Sequence, residues 1–307
     1  MKYSFLIGIF LFAIILLKID LGGILQNIKE INPLFLILAM LAAFPILLNK
    51  ALCWNYIKTQ QGIKYSLKDS FLMYCAGLYI GVLTPGRLGE ATKVLYLKND
   101  GHSLGKALVG VVLDRITDFA FFLFVLLIGS LFLISVLQKQ VLILIAGILV
   151  LVCLFIVFLK IGLIKWGINK AFRAFIPRKY QKSWKINFQD FIADLKIYKL
   201  RAYVIMMVIT ALSSGFYYLQ MYILARGMNM DIPFLYLAVS VTIAGLVTLI
   251  PVSISGIGTR DAALILLLSP LGILKEQAVV FSALILIMAL IATLIGLICW
   301  LIKPLRA

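Results

Sequence analysis

Apolar runs, many of them near the length that crosses a bilayer, recur along this whole chain, and no other feature limits its fold so tightly. They extend over Tyr3–Leu17, Pro33–Asn49, Ser70–Leu83, Ala107–Leu137, Val141–Leu159, Val204–Ala225, Phe234–Pro251, Ala262–Leu271 and Ala278–Ile302. A helix needs about 20 residues to cross about 30 Å of hydrocarbon. With 64% of 307 residues hydrophobic and 13% charged, a soluble core cannot hide the apolar surface. Long continuous runs, rather than short alternating ones, exclude a transmembrane β-barrel. The fold is therefore predicted to be all-α: one transmembrane domain over residues 1–307, a polytopic helical bundle of about seven or eight spans.

The segments ending at Leu83 and beginning at Ala262 are too short to cross, and each lies beside a Gly-rich break. Short apolar segments broken by Pro and Gly read as re-entrant or broken helices. Charge placement agrees. Between Lys160 and Arg201 lie eleven Lys or Arg against two Asp, so this connector between two halves is predicted to be cytoplasmic. Counting back through the spans 141–159 and 107–137 puts residues 87–106 on the same side. The basic segment from Lys50 to Lys68 also prefers that side, which requires residues 70–83 not to cross fully. The same count makes the N-terminus cytoplasmic. No small-residue cleavage site follows Leu17, so the first run reads as an uncleaved span.

The formal charge of +17 follows from 29 Lys and Arg against 12 Asp and Glu. In a chain this apolar, such an excess marks cytoplasmic loops against anionic lipid, and nucleic acid is not expected as a partner. The connector alternates aromatics and cations in the manner of an interfacial amphipathic helix. Cys53, Cys75, Cys153 and Cys299 are scattered in apolar surroundings without metal spacing and read as reduced packing residues. His102 reads as a loop residue. No metal site or other cofactor, and no catalytic residue, is expected.

Three polar clusters interrupt the apolar runs: Thr84–Glu90 (TPGRLGE), Asp114–Asp118 (DRITD) and Pro251–Asp261 (PVSISGIGTRD). In the first, Pro85, Gly86 and Gly89 break the backbone, and a helix can restart just beyond them and run through Glu90 and Lys93. Its free N–H groups and dipole attract an anion, and Arg87 adds a forked phosphate donor. The third repeats this layout, with Gly256 and Gly258 as breaks, Thr259 as N-cap, and Arg260 and Asp261 opening the helix. Paired interruptions in two halves point to a transporter's midplane site; the alternative is a pair of ordinary turns. Asp114 and Asp118 share a helix face. They are either boundary charges or buried carboxylates needing partners, for which Arg87, Lys93 and Arg260 are the candidates. Two such acids could also hold Mg²⁺ in a lipid-modifying enzyme, although no third acid or nucleophile lies beside them.

The stretches LTPGRLGEATKVLYL, VVLDRITDFAFF and PVSISGIGTRDAALILLL resemble, in order and spacing, the motifs of the lysylphosphatidylglycerol synthase transmembrane-region family of flippase-like membrane proteins. Lys50 to Trp54 resembles that family's early basic-Trp element. The family patterns P-G-R-x-G-E, E-R-x-x-D and P-G-G-x-G-x-R-E map onto Pro85, Gly86, Arg87, Gly89 and Glu90, then Asp114, Arg115 and Asp118, then Gly256, Gly258, Arg260 and Asp261. Asp114 and Asp261 stand where Glu is usual, and Ser255 where Gly or Pro is frequent.

The resemblance implies a lipid flippase or transporter in the cell membrane, acting on an anionic or aminoacylated phospholipid or a lipid-linked headgroup, without the aminoacyl transferase domain that synthesis would need. A separate lipid-synthesising enzyme is then a possible partner; oligomeric state is open. The expected mechanism docks a lipid phosphate between the two helix starts, on Arg87 and Arg260, with Glu90 and Asp261 neutralising them or receiving a cationic headgroup. A non-transporting accessory subunit is the remaining alternative.

Overall fold

The structure, a computed structural model, describes residues 21–82, 90, 92–132, 189–249, 253 and 255–305. The predicted spans 3–17 and 141–159, residues 133–137, Cys153, and residues 160–188 of the connector lie outside them, as do Pro85, Gly86, Arg87 and Gly89.

Among the described residues the regular elements are α1 (Leu21–Lys29), α2 (Pro33–Gln60), α3 (Leu67–Val82), α4 (Lys93–Asn99), α5 (Leu104–Phe132), α6 (Leu200–Gly227), α7 (Phe234–Thr248), α8 (Thr259–Leu268) and α9 (Lys275–Ile302), with a 3₁₀ turn at Ser269–Leu271. Helices α2, α6 and α9 are each 28 residues long and apolar enough to cross a membrane. At 1.5 Å per residue each is about 42 Å long. Their outer faces stay apolar: Ile287, Leu290, Leu294, Ile298 and Leu301 form one exposed stripe along α9. A helix apolar on its inner and outer faces suits lipid rather than water.

Two groups of bonds define the ends of the bundle. At one end, the Tyr198 hydroxyl donates to the Ile57 carbonyl (2.8 Å), and Gln61 donates to Asp194 (3.0 Å) and to the Lys106 carbonyl (2.8 Å). Lys303 pairs with Asp69 at 2.6 Å, and Tyr65 donates to Asp100. This end gathers the finish of α2, α4 and α9 and the start of α3, α5 and α6. At the far end, Asn32 N–H donates to the Gly227 carbonyl (3.0 Å), and the Tyr236 hydroxyl to the Leu267 carbonyl (2.6 Å).

Two helical hairpins follow from these contacts. Helix α3 rises from the first end and α4 returns to it, packed so closely that a Cβ at Gly81 would strike the Glu90 side chain. Helix α7 rises from the far end and α8 returns there. Among the described residues near their tips, Glu90, Ser253 and Thr259 are buried inside the bundle. Each half thus holds a long helix, a hairpin and a second long helix: α2, α3–α4, α5, then α6, α7–α8, α9. The second half runs in the opposite direction, which is the layout of an inverted repeat. The short segments flagged by length are the rising arm of the first hairpin and the returning arm of the second.

Close approach fixes the packing. A Cβ on Gly110 of α5 would lie 2.7 Å from the Trp54 ring, whereas one on Gly215 of α6 meets nothing within 4 Å. Gly110→Leu is therefore expected to lower stability by roughly 1–3 kcal/mol through overpacking. Gly215→Ala should leave it unchanged or raise it by up to about 1 kcal/mol. Thermal unfolding in detergent distinguishes the two, and equal effects would contradict this packing.

Candidate functional site

The first hairpin carries its charges into the bundle. Lys93 opens α4, is 1% exposed, and reaches Asp114 of α5 at 2.8 Å. Its ammonium also lies over the rings of Tyr74 (4.5 Å) and Trp54 (4.8 Å). Glu90, on the turn before α4, accepts from Arg115, and Lys50 of α2 donates to Asp118. Second contacts tie the three pairs together: Lys50 lies 3.9 Å from Asp114, and Arg115 lies 3.6 Å from Asp114 and 3.8 Å from Asp118.

Three cations therefore face three carboxylates in one network joining α2, α4 and α5. Burial explains the matching, because an unpaired charge in low dielectric costs several kcal/mol. Lys58 is a further cation, fully buried with its ammonium over the Trp54 ring and no hydrogen-bond acceptor among the described residues.

Of the candidate partners for the two aspartates, Lys93 is one. Arg260 is not: its Nε donates to Ser282 (2.8 Å) and its NH1 to the Ser255 carbonyl (3.2 Å). Ser282 in turn donates to Asp261, whose other oxygen accepts from the Gly258 N–H at 2.7 Å. Arg260 and Asp261 thus fasten α8 to α9 at the second hairpin tip. That tip needs left-handed backbone at Ser255 (φ 52°), Gly256 (80°) and Gly258 (81°). This is the conformation glycine tolerates best.

Two local readings need correction. Gly258 rather than Thr259 occupies the N-cap; Thr259 is the first helical residue, and its hydroxyl pairs with Ser253 at 2.8 Å. Regular helix in the first hairpin begins at Lys93, with Glu90 on a 3₁₀ turn instead of inside the helix.

A cavity of about 230 Å³ lies between the halves. Lys50, Arg115 and Asp118 form its charged wall, Ser213, Ser214, Tyr217, Gln220 and Thr248 supply uncharged polar groups, and residues such as Leu47, Phe119, Phe122 and Met288 complete an apolar lining. Glu90, Lys93, Arg260 and Asp261 are not among its lining residues. Sequence reasoning marked Lys50 to Trp54 only as a family element, and missed Lys50 as an ion-pair partner, Lys58, Ser282 and the α6 wall. The wall did leave a signal: Ser213, Tyr217 and Gln220 recur at spacings of four and three in an apolar run, placing polar groups on one helix face.

If the network is held by its internal pairing, Lys93→Met should destabilise by about 3–5 kcal/mol by stranding Asp114. Adding Asp114→Leu should recover most of that loss in thermal unfolding. Additive losses in the double variant would contradict the pairing.

Comparisons with known proteins come to the same place. Over 119 residues the chain is 33% identical to a UPF0104 membrane protein of Methanocaldococcus jannaschii, a match covering 38% of this chain and 35% of that relative. The chain thus spans about a third of the length of that curated relative. No solved structure matches it. The family profile described as "Lysylphosphatidylglycerol synthase TM region" matches residues 2–296. The chain belongs to that family and is a multi-pass membrane protein.

Proposed function

We propose that this protein is a lipid flippase or transporter of the cell membrane, and that the cavity between the two hairpins carries the phospholipid headgroup. The carrying observation is the cavity's make-up: Lys50 and Arg115 on one wall, uncharged polar groups beside them, apolar side chains elsewhere. A phosphate suits the cationic wall. In this reading it meets Lys50 and Arg115, which line the cavity, instead of Arg260, which does not. The acyl chains stay in the bilayer.

Charge at the two ends orients the chain. The end where α2 finishes carries Lys64, Lys68, Lys98, Lys196, Lys199, Arg201 and Lys303 against Asp69, Asp100, Asp190 and Asp194. Among the described residues the far end is balanced, with Lys29, Arg226 and Lys275 against Glu30, Asp231 and Glu276. The positive-inside rule makes the basic end cytoplasmic. The hairpins then enter from opposite faces as re-entrant elements within about seven or eight spans, a layout suited to alternating access around a fixed site. Asp114 and Asp118 are engaged by ammonium groups, which compete with a divalent cation, so the donor set favours transport over metal-assisted lipid chemistry.

Gly245 lines the cavity, and a Cβ there would meet nothing within 4 Å. Gly245→Leu is expected to fill the cavity without unfolding the bundle, and Lys50→Gln to remove its phosphate contact. In proteoliposomes both should slow headgroup translocation at least about tenfold. Wild-type translocation by folded Gly245→Leu would rule out this passage.

A further inference from the structure

The cavity's uncharged wall has a chemistry of its own. Ser213 donates its hydroxyl to the Ile46 carbonyl (3.3 Å), Thr248 to the Gly245 carbonyl (2.6 Å), and Gln220 donates one amide hydrogen to the Ala39 carbonyl (2.7 Å). The hydroxyl protons are thus spent on backbone, and what remains at Ser213 Oγ, Thr248 Oγ1 and Gln220 Oε1 is mainly acceptor capacity. These three oxygens favour hydrogen-bond donors, which on a lipid headgroup are hydroxyls or an ammonium.

Charge decides between them. Asp118 is engaged by Lys50, Glu90 by Arg115 and Asp114 by Lys93. Among the described residues the three cations and three carboxylates of the network balance, and no carboxylate is left over. An ammonium brought here would lose its water beside two cations at the cavity wall, with no unengaged carboxylate to offset that cost. Hydroxyls carry no such penalty.

From this we infer that the cavity selects a phospholipid whose headgroup is a polyol, a glycerol or a sugar, and discriminates against an aminoacylated headgroup. Lys50 and Arg115 hold the phosphate, while the Ser213, Gln220 and Thr248 oxygens accept from the headgroup hydroxyls. This rests on the reading of the cavity as a headgroup passage.

The test uses the purified full chain in vesicles, with acyl-chain-labelled phospholipids bearing a glycerol, an ethanol or a lysyl-glycerol headgroup. Glycerol and ethanol headgroups carry the same charge and differ in hydroxyls. Glycerol lipid should translocate about tenfold faster than each of the others, the difference that one or two hydrogen bonds supply. The glycerol-to-ethanol ratio should fall toward one in Ser213→Ala/Thr248→Val. Fastest movement of the lysyl lipid, or equal glycerol and ethanol rates, would overturn the polyol assignment and leave the headgroup passage standing. No movement of any lipid would overturn both.

Discussion

The buried pair between Lys93 and Asp114 is the interaction on which the rest of this architecture depends. Helix α4 has seven residues, too few to persist on its own. It is held because its first side chain is neutralised inside the bundle at 2.8 Å. Around that pair, Glu90 with Arg115 and Lys50 with Asp118 complete a network that joins α2, the first hairpin and α5. Removing Lys93 or Asp114 would strand a charge in the dry interior of the bundle, and with it the seat of the first hairpin and its packing on Trp54.

The second hairpin repeats the plan with fewer charges. Lys93 and Asp114 are 21 residues apart, and so are Asp261 and Ser282. Each pair ties the start of a returning helix to the long helix that follows. In the second half one hydroxyl takes the place of the carboxylate and bridges Arg260 to Asp261. The repeats are therefore alike in topology and unlike in chemistry. The cavity inherits this asymmetry: its charged wall comes from α2 and α5 of the first half, and its acceptor wall from α6 and α7 of the second.

Much of this was legible in the sequence because it follows from length and charge. Apolar runs of spanning length gave the helical class, and the shortfall before Pro85 and after Asp261 marked the two hairpins. Asp114 and Asp118 fell on one face as their spacing required, and Cys53, Cys75 and Cys299 are free and buried as packing residues. Partner choice was not legible. Arg260 and Lys93 look equivalent as cations near a helix start, but only the direction in which each hairpin enters decides which long helix it meets. Lys50 lay just beyond an apolar run, at the head of a basic segment, where it reads as a boundary charge until α5 is brought against it. The acceptor wall was hidden because serine, glutamine and threonine disclose their remaining hydrogen-bond capacity only once their backbone partners are known.

The central claim is that a headgroup leaves the bilayer surface and enters between the hairpins at mid-depth. It is tested most directly by photocrosslinking in membranes with a phospholipid carrying the photoreactive group on its headgroup. Single cysteines at Ala289, which lines the cavity, and at Leu212, 54% exposed on the outer face of α6 beside the cavity-lining Ser213, serve as capture sites. The expected result is headgroup capture at Ala289 and none at Leu212, because headgroups do not dwell at that depth in lipid. Capture at Leu212 alone, or equal capture at both positions, would contradict a passage through the cavity.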